Sequence, residues 1–158
     1  MNRTIKFKGK RLDNGEWVYG SLAETHGKLF IGISTSSDNP VYMMDWHIVD
    51  PDTIGQFTGL FDKNGSKEIY EGDILSVRRY DNEFMPESEE FRDAFNIDEL
   101  KGNEIETITD CVFYEEASFY VGNLYLVSLF GNQKHSNPIH EFEVIGNIHD
   151  NPELLNEK

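Results

Sequence analysis

The chain has 158 residues and a net charge of −15, from 29 acids and 14 bases, with one cysteine. A domain of this length buries roughly 68–70% of the surface its unfolded chain exposes. A core is therefore available without disulfides or metal, and eleven Phe, seven Tyr and two Trp supply its bulk. One cysteine excludes an internal disulfide and a thiolate metal cluster. Net negative charge opposes a broad phosphate-binding face, so nucleic acid is not an expected partner. No apolar run reaches the 18 or so residues of a membrane helix, and Met1–Gly9 lacks the pattern of a secretory signal. The expected setting is a reducing cytoplasm with no membrane partner.

In chain order the elements are mostly short strands. Ile5 and Phe7 alternate with Lys6 and Lys8, and Trp17 and Tyr19 flank Val18; Asn14-Gly15 lies between these runs. This is a hairpin signal whose tightest form needs positive φ at both central residues. His26-Gly27 turns the chain into a third strand, Leu29–Ile33, to complete a meander. Ser34–Pro40 reads as loop. Val41–Val49 reads as a strand with Val41, Met43, Trp46 and Ile48 inward. Asp50-Pro51 is a turn, because the residue before proline is pushed out of the helical region. Thr53–Leu60 follows, then the turn 62–65 with Gly65 at its end, then Glu68–Tyr70 and the strand Ile74–Tyr80.

The alternation breaks at residues 81–106. Ten acids against two bases give this stretch −8 of the total charge. Phe91, Phe95 and Leu100 fit a short helix over Glu87–Phe95; mutual repulsion of the acids fits a solvated loop equally well. Strands resume at Ile105–Tyr114, Phe119–Val121, Leu124–Phe130 and Glu141–Ile148. Asn151-Pro152-Glu153 starts a single helical turn in which Leu154 and Leu155 pack down.

Several stretches together carry a resemblance: Ile5–Lys10 with Asp13–Gly20, Val49–Leu60, Asp62–Asp73 with Ile74, and Val144–Leu155. In their order and content they resemble the YopX family, small proteins encoded by phages and prophages. The resemblance implies a β-rich body, with no enzymatic activity and no catalytic residues to carry over. Against the shorter members, residues 81–106 look like an insertion. The expected architecture is mainly β: a β-meander over 1–57 and an SH3-like small barrel over 58–158 that holds the insertion.

Asp45, Asp50, Asp52, Asp62, Glu71 and Asp73 are the carboxylates from which a divalent-metal hydrolase would be built. Asp50, Asp62 and Asp73 sit at turns, however, where Asp is favoured for local hydrogen bonds. His26, His47, His135, His140 and His149 are dispersed and make no HExxH pair. Neither a nucleophile elbow nor a phosphate loop occurs. Cys111 sits in an apolar strand and reads as a buried small hydrophobe. Lys6, Phe7, Lys8, Lys10, Arg11, Trp17 and Tyr19 interleave bases with rings, as a single-strand stacking platform does; alternating lysines also protect a strand edge. No catalytic, cofactor or metal residue is expected. The function expected is that of a non-enzymatic phage accessory protein, an interaction module that forms a homo-oligomer or binds a host protein. The alternatives are an acidic DNA mimic acting through 81–106 and, less favoured, the metal-dependent hydrolase.

Overall fold

A computed structural model describes residues 4–35, 44–63, 65–80, 103–122, 124–125 and 139–155. The protein is mainly β, built of two antiparallel sheets. The chain divides into two compact units, one of Met1–Leu60 with Glu68–Gly72, the other of Phe61–Lys67 with Asp73–Lys158.

In the first unit, β1 (Phe7–Lys10), β2 (Trp17–Thr25), β3 (Lys28–Ser34), β4 (Met44–Ile48), β5 (Gly55–Phe61) and β6 (Glu68–Tyr70) form a sheet of order β4-β3-β2-β1-β5-β6. The expected meander is there. Its first turn differs from the tightest form, because the Arg11 N–H donates to the Glu16 carbonyl and four residues lie between them. Gly15 alone takes positive φ, at 73°. The two-residue turn is the next one, where His26 and Gly27 both take positive φ and Thr25 pairs with Lys28. That geometry matches the twist of the flanking strands.

Phase along the strands decides what is buried. Val18, Ile31 and Val49 form the core of this unit, with Phe7, Leu22, Leu29, Ile33 and Ile54 packed against it. Val49 is buried, whereas Trp46 and Ile48 are exposed. The inward set expected for this strand is therefore corrected by one residue, and such a step moves every side chain to the other face. Val41 and Met43 lie outside the described residues. Asp50 is extended at φ −69° and ψ 118°, and its carboxylate accepts the Asp52 N–H to cap the 3-10 turn Pro51–Thr53.

In the second unit, β7 (Asp73–Tyr80), β8 (Glu104–Glu115), β9 (Ser118–Val121), β10 (Leu124–Tyr125) and β11 (Ile139–Asn147) form a sheet of order β10-β9-β8-β7-β11. Adjacent Ile74 and Leu75 point to opposite faces and both are fully buried, so β7 is covered on both sides. The β11 ladder slips between Val144 and Gly146. Pro152–Leu155 is a single 3-10 turn, as expected, but its leucines are only half-buried, with Leu154 over Gly146. Neither strand order closes on itself among the described residues, and the SH3-like closure expected for the C-terminal half is not seen there. The helix considered over Glu87–Phe95 lies outside the described residues.

Candidate functional site

Strand β1 presents its lysines to one face of the first sheet and Phe7 and Gly9 to the other. Lys8 Nζ lies 4.8 Å from the Trp17 ring centroid and 5.5 Å from that of Tyr70, Lys10 lies 5.5 Å from Trp17, and Lys6 lies 5.9 Å from Tyr19. Tyr19 and Tyr70 meet at 5.5 Å. Lys6 also donates to Glu68 at 2.6 Å, and Tyr70 donates its hydroxyl to the same carboxylate oxygen. Burial pushes the Glu68 carboxyl up, but the two hydrogen bonds outweigh it and hold the group below its ordinary value. Of the bases and rings considered as a stacking platform, Lys6, Lys8, Lys10, Trp17 and Tyr19 thus form a ladder with one another, while Phe7 packs on the core and Arg11 engages Asp13. Lys8, at 3% exposed, is inside it rather than on a surface.

The carboxylates have separate local tasks. Asp45 is exposed on β4, Asp50 caps Pro51–Thr53, and Asp52 lies in that turn. Glu71 donates its N–H to Gln56. In the second unit the buried Asp62 accepts the N–H groups of Ser66 at 3.0 Å and Lys67 at 3.2 Å, while the buried Asp73 accepts Asn147 Nδ2 at 3.2 Å. His26 is in a turn against Thr25, His47 is on β4, His140 is buried on β11, and His149 is in the turn after it; His135 lies outside the described residues. Among the described residues no three His, Cys, Asp or Glu side chains are grouped to hold a metal ion.

Cys111 pairs with Ile74 in the β7–β8 ladder and is half-buried rather than buried. Burial and the neighbouring Asp110 push its thiol up, away from the nucleophilic thiolate. Of the acidic stretch only Glu104 and Glu106 are well described, both exposed on β8; residues 81–102, and with them most of the DNA-mimic reading, lie outside the described residues. No helix among the described residues is long and apolar enough to cross a membrane.

A concave apolar surface appears where β4 meets the first hairpin loop. Lys10–Leu12 runs antiparallel to Ile48–Asp50: the Leu12 N–H donates to the Ile48 carbonyl at 3.0 Å and the Asp50 N–H to the Lys10 carbonyl at 2.8 Å. Leu12, Asp13, Trp46, His47 and Ile48 line an open cavity of about 400 Å³. Leu12 is 64% exposed, Trp46 47% and Ile48 37%. The Trp46 ring lies against Gly32, where any Cβ would stand 2.8 Å and 2.9 Å from two of its ring carbons. The Arg11 guanidinium donates to Asp13, at 2.9 Å through Nε, and holds that carboxyl below its ordinary range. The sequence reading missed this surface because it placed Trp46 and Ile48 inside. The pairing of Arg11 with Val49 is long-range and leaves no local signal.

Two antiparallel sheets, neither closed among the described residues and with carboxylates engaged in turns and caps, define a mainly β protein. The chain belongs to the YopX protein family, whose profile matches residues 6–156. The segments that carried the resemblance are thus part of a match over nearly the whole chain. Among solved structures, the crystal structure of protein EF1440 from Enterococcus faecalis is similar at a TM-score of 0.50 and 26% identity, covering 98% of this chain and 99% of that one. A search of curated proteins finds no match.

Proposed function

We propose that the protein is a non-enzymatic accessory protein of a phage or prophage, acting in the host cytoplasm as an interaction module that self-associates. One observation carries the reading: among the described residues both sheets end in outer strands, and a large apolar side chain, Ile145, stands exposed on β11, the outer strand of the second sheet. Exposed outer strands with apolar flanks favour pairing or packing with another chain. The turn, cap and hydrogen-bonding tasks of Asp50, Asp62 and Asp73 support the non-enzymatic half of the reading.

Light scattering over a concentration series tests the proposal. We expect the mass to exceed the 18.2 kDa of one chain and to rise with concentration. A constant single-chain mass up to millimolar protein would remove self-association. Affinity capture from the infected host then identifies any protein partner.

A further inference from the structure

The cavity beside β4 is lined by apolar side chains and His47 and carries acids at its rim. Leu12, Trp46 and Ile48 supply the apolar part, and Asp13 lines it next to the exposed Glu16, whose carboxylate stands 4.0 Å from the Arg11 guanidinium. Among the described residues Arg11 is the cation that faces both carboxylates. It is already engaged with Asp13, so two carboxylates share one positive charge.

The backbone at this edge is also poised. The Val49 N–H donates inward to the Leu29 carbonyl of β3, while the Ile48 carbonyl accepts Leu12 from outside. Successive residues of an antiparallel strand alternate in the side to which they direct N–H and C=O. Met44 and Trp46 therefore direct theirs outward, as Ile48 does. Leu12 occupies the edge at Ile48, and among the described residues nothing pairs with the edge at Met44 and Trp46.

We infer that this edge docks an extended, basic segment of a partner protein. The segment adds backbone hydrogen bonds beside Met44 and Trp46, seats an apolar side chain against Leu12, Trp46 and Ile48, and sets cations against Asp13 and Glu16. The inference rests on the reading of the chain as an interaction module and names the partner chemistry of one of its surfaces. A second copy does not fit this edge. Two β4 strands paired about Trp46 would set the Met44 of one against the Ile48 of the other, where Leu12 already lies. Each copy also carries −15, so the acidic rims repel.

Three fluorescein-labelled hexapeptides test the inference by fluorescence anisotropy with the full chain. One alternates lysine with leucine and tryptophan, one has glutamate for lysine, and one has serine for the apolar residues. We expect saturable binding of the first, at least about tenfold tighter than either control and weaker at higher salt. Leu12→Ser and Trp46→Ala each weaken it by about tenfold or more. Leu12 is exposed enough for its variant to fold, which circular dichroism verifies. Asp13→Asn with Glu16→Gln weakens binding by about two- to fivefold and flattens its salt dependence. No saturable binding, equal binding of the serine peptide, or indifference to Leu12→Ser would each overturn the inference. Light scattering without peptide keeps the two proposals apart. If Leu12→Ser abolishes self-association and leaves peptide binding intact, the edge belongs to a second copy, and this inference falls while self-association stands.

Discussion

Glu116 and Ala117 turn the β8–β9 hairpin with φ of 47° and 63°, a left-handed pair built without glycine. A Cβ there crowds the following carbonyl at roughly 1–2 kcal/mol per residue. Ala117→Gly removes that crowding and adds back part of it as backbone entropy of the unfolded chain, roughly 0.5–1 kcal/mol. We expect a net stabilisation of about 0.5–1 kcal/mol, read as a rise of a few degrees in Tm. Glu68 carries a second prediction at this scale. Its carboxyl is held below its ordinary 4.5, against the pull of burial, by Lys6 and Tyr70. The stability it adds is complete above that value and is lost as pH falls through the lower folded value. Comparing Glu68→Gln with the parent by thermal unfolding should show a deficit at pH 6–7 that shrinks on acidification through that window. A deficit independent of pH would refute the assignment.

The turn from Asp62 to Lys67 is closed by backbone hydrogen bonds and by the Asp62 side chain. Asp62 is buried and its Oδ1 accepts two backbone N–H groups, while Gly65 at φ 66° donates back to the Asp62 carbonyl. Removing the carboxylate strands two donors. We expect Asp62→Ala to cost about 2–3 kcal/mol in chemical denaturation, while Asp62→Asn, which keeps an acceptor, costs about 1 kcal/mol or less. The strand elements show how far local pattern reaches. The alternation at Ile5–Lys8 and Trp17–Tyr19 placed β1 and β2 because lysines and rings point to one face and Phe7 and Val18 to the other. The same alternation misassigned β4, where both phases carry apolar residues and the core side was settled by Val49 packing on Val18 and Ile31. Burial of Lys8 was equally illegible. A lysine enters an interior when rings take up its stem and charge, and Tyr70, one of those rings, is 62 residues away in sequence.

At the scale of the whole molecule, charge sets how association responds to salt. Copies carrying −15 each repel at long range. We expect self-association, followed by sedimentation from low salt to about 0.5 M, to strengthen as the repulsion is screened. Weakening by salt would mean that ion pairs, not apolar outer strands, hold the assembly.

The amino-acid sequence by itself determined the β character, the turns at Asn14-Gly15, His26-Gly27, Asp50-Pro51 and Asp62–Gly65, and the family. All of these rest on neighbours a few residues apart, whose φ preferences and period-2 alternation act locally. Tertiary structure alone decided that Glu68–Tyr70 joins the sheet that starts at Phe7, that Lys8 lies among rings, and that Leu12 and Trp46 share an exposed cavity. Each of those depends on which strands become neighbours, a choice made by the sum of many long-range contacts that no short stretch of sequence encodes.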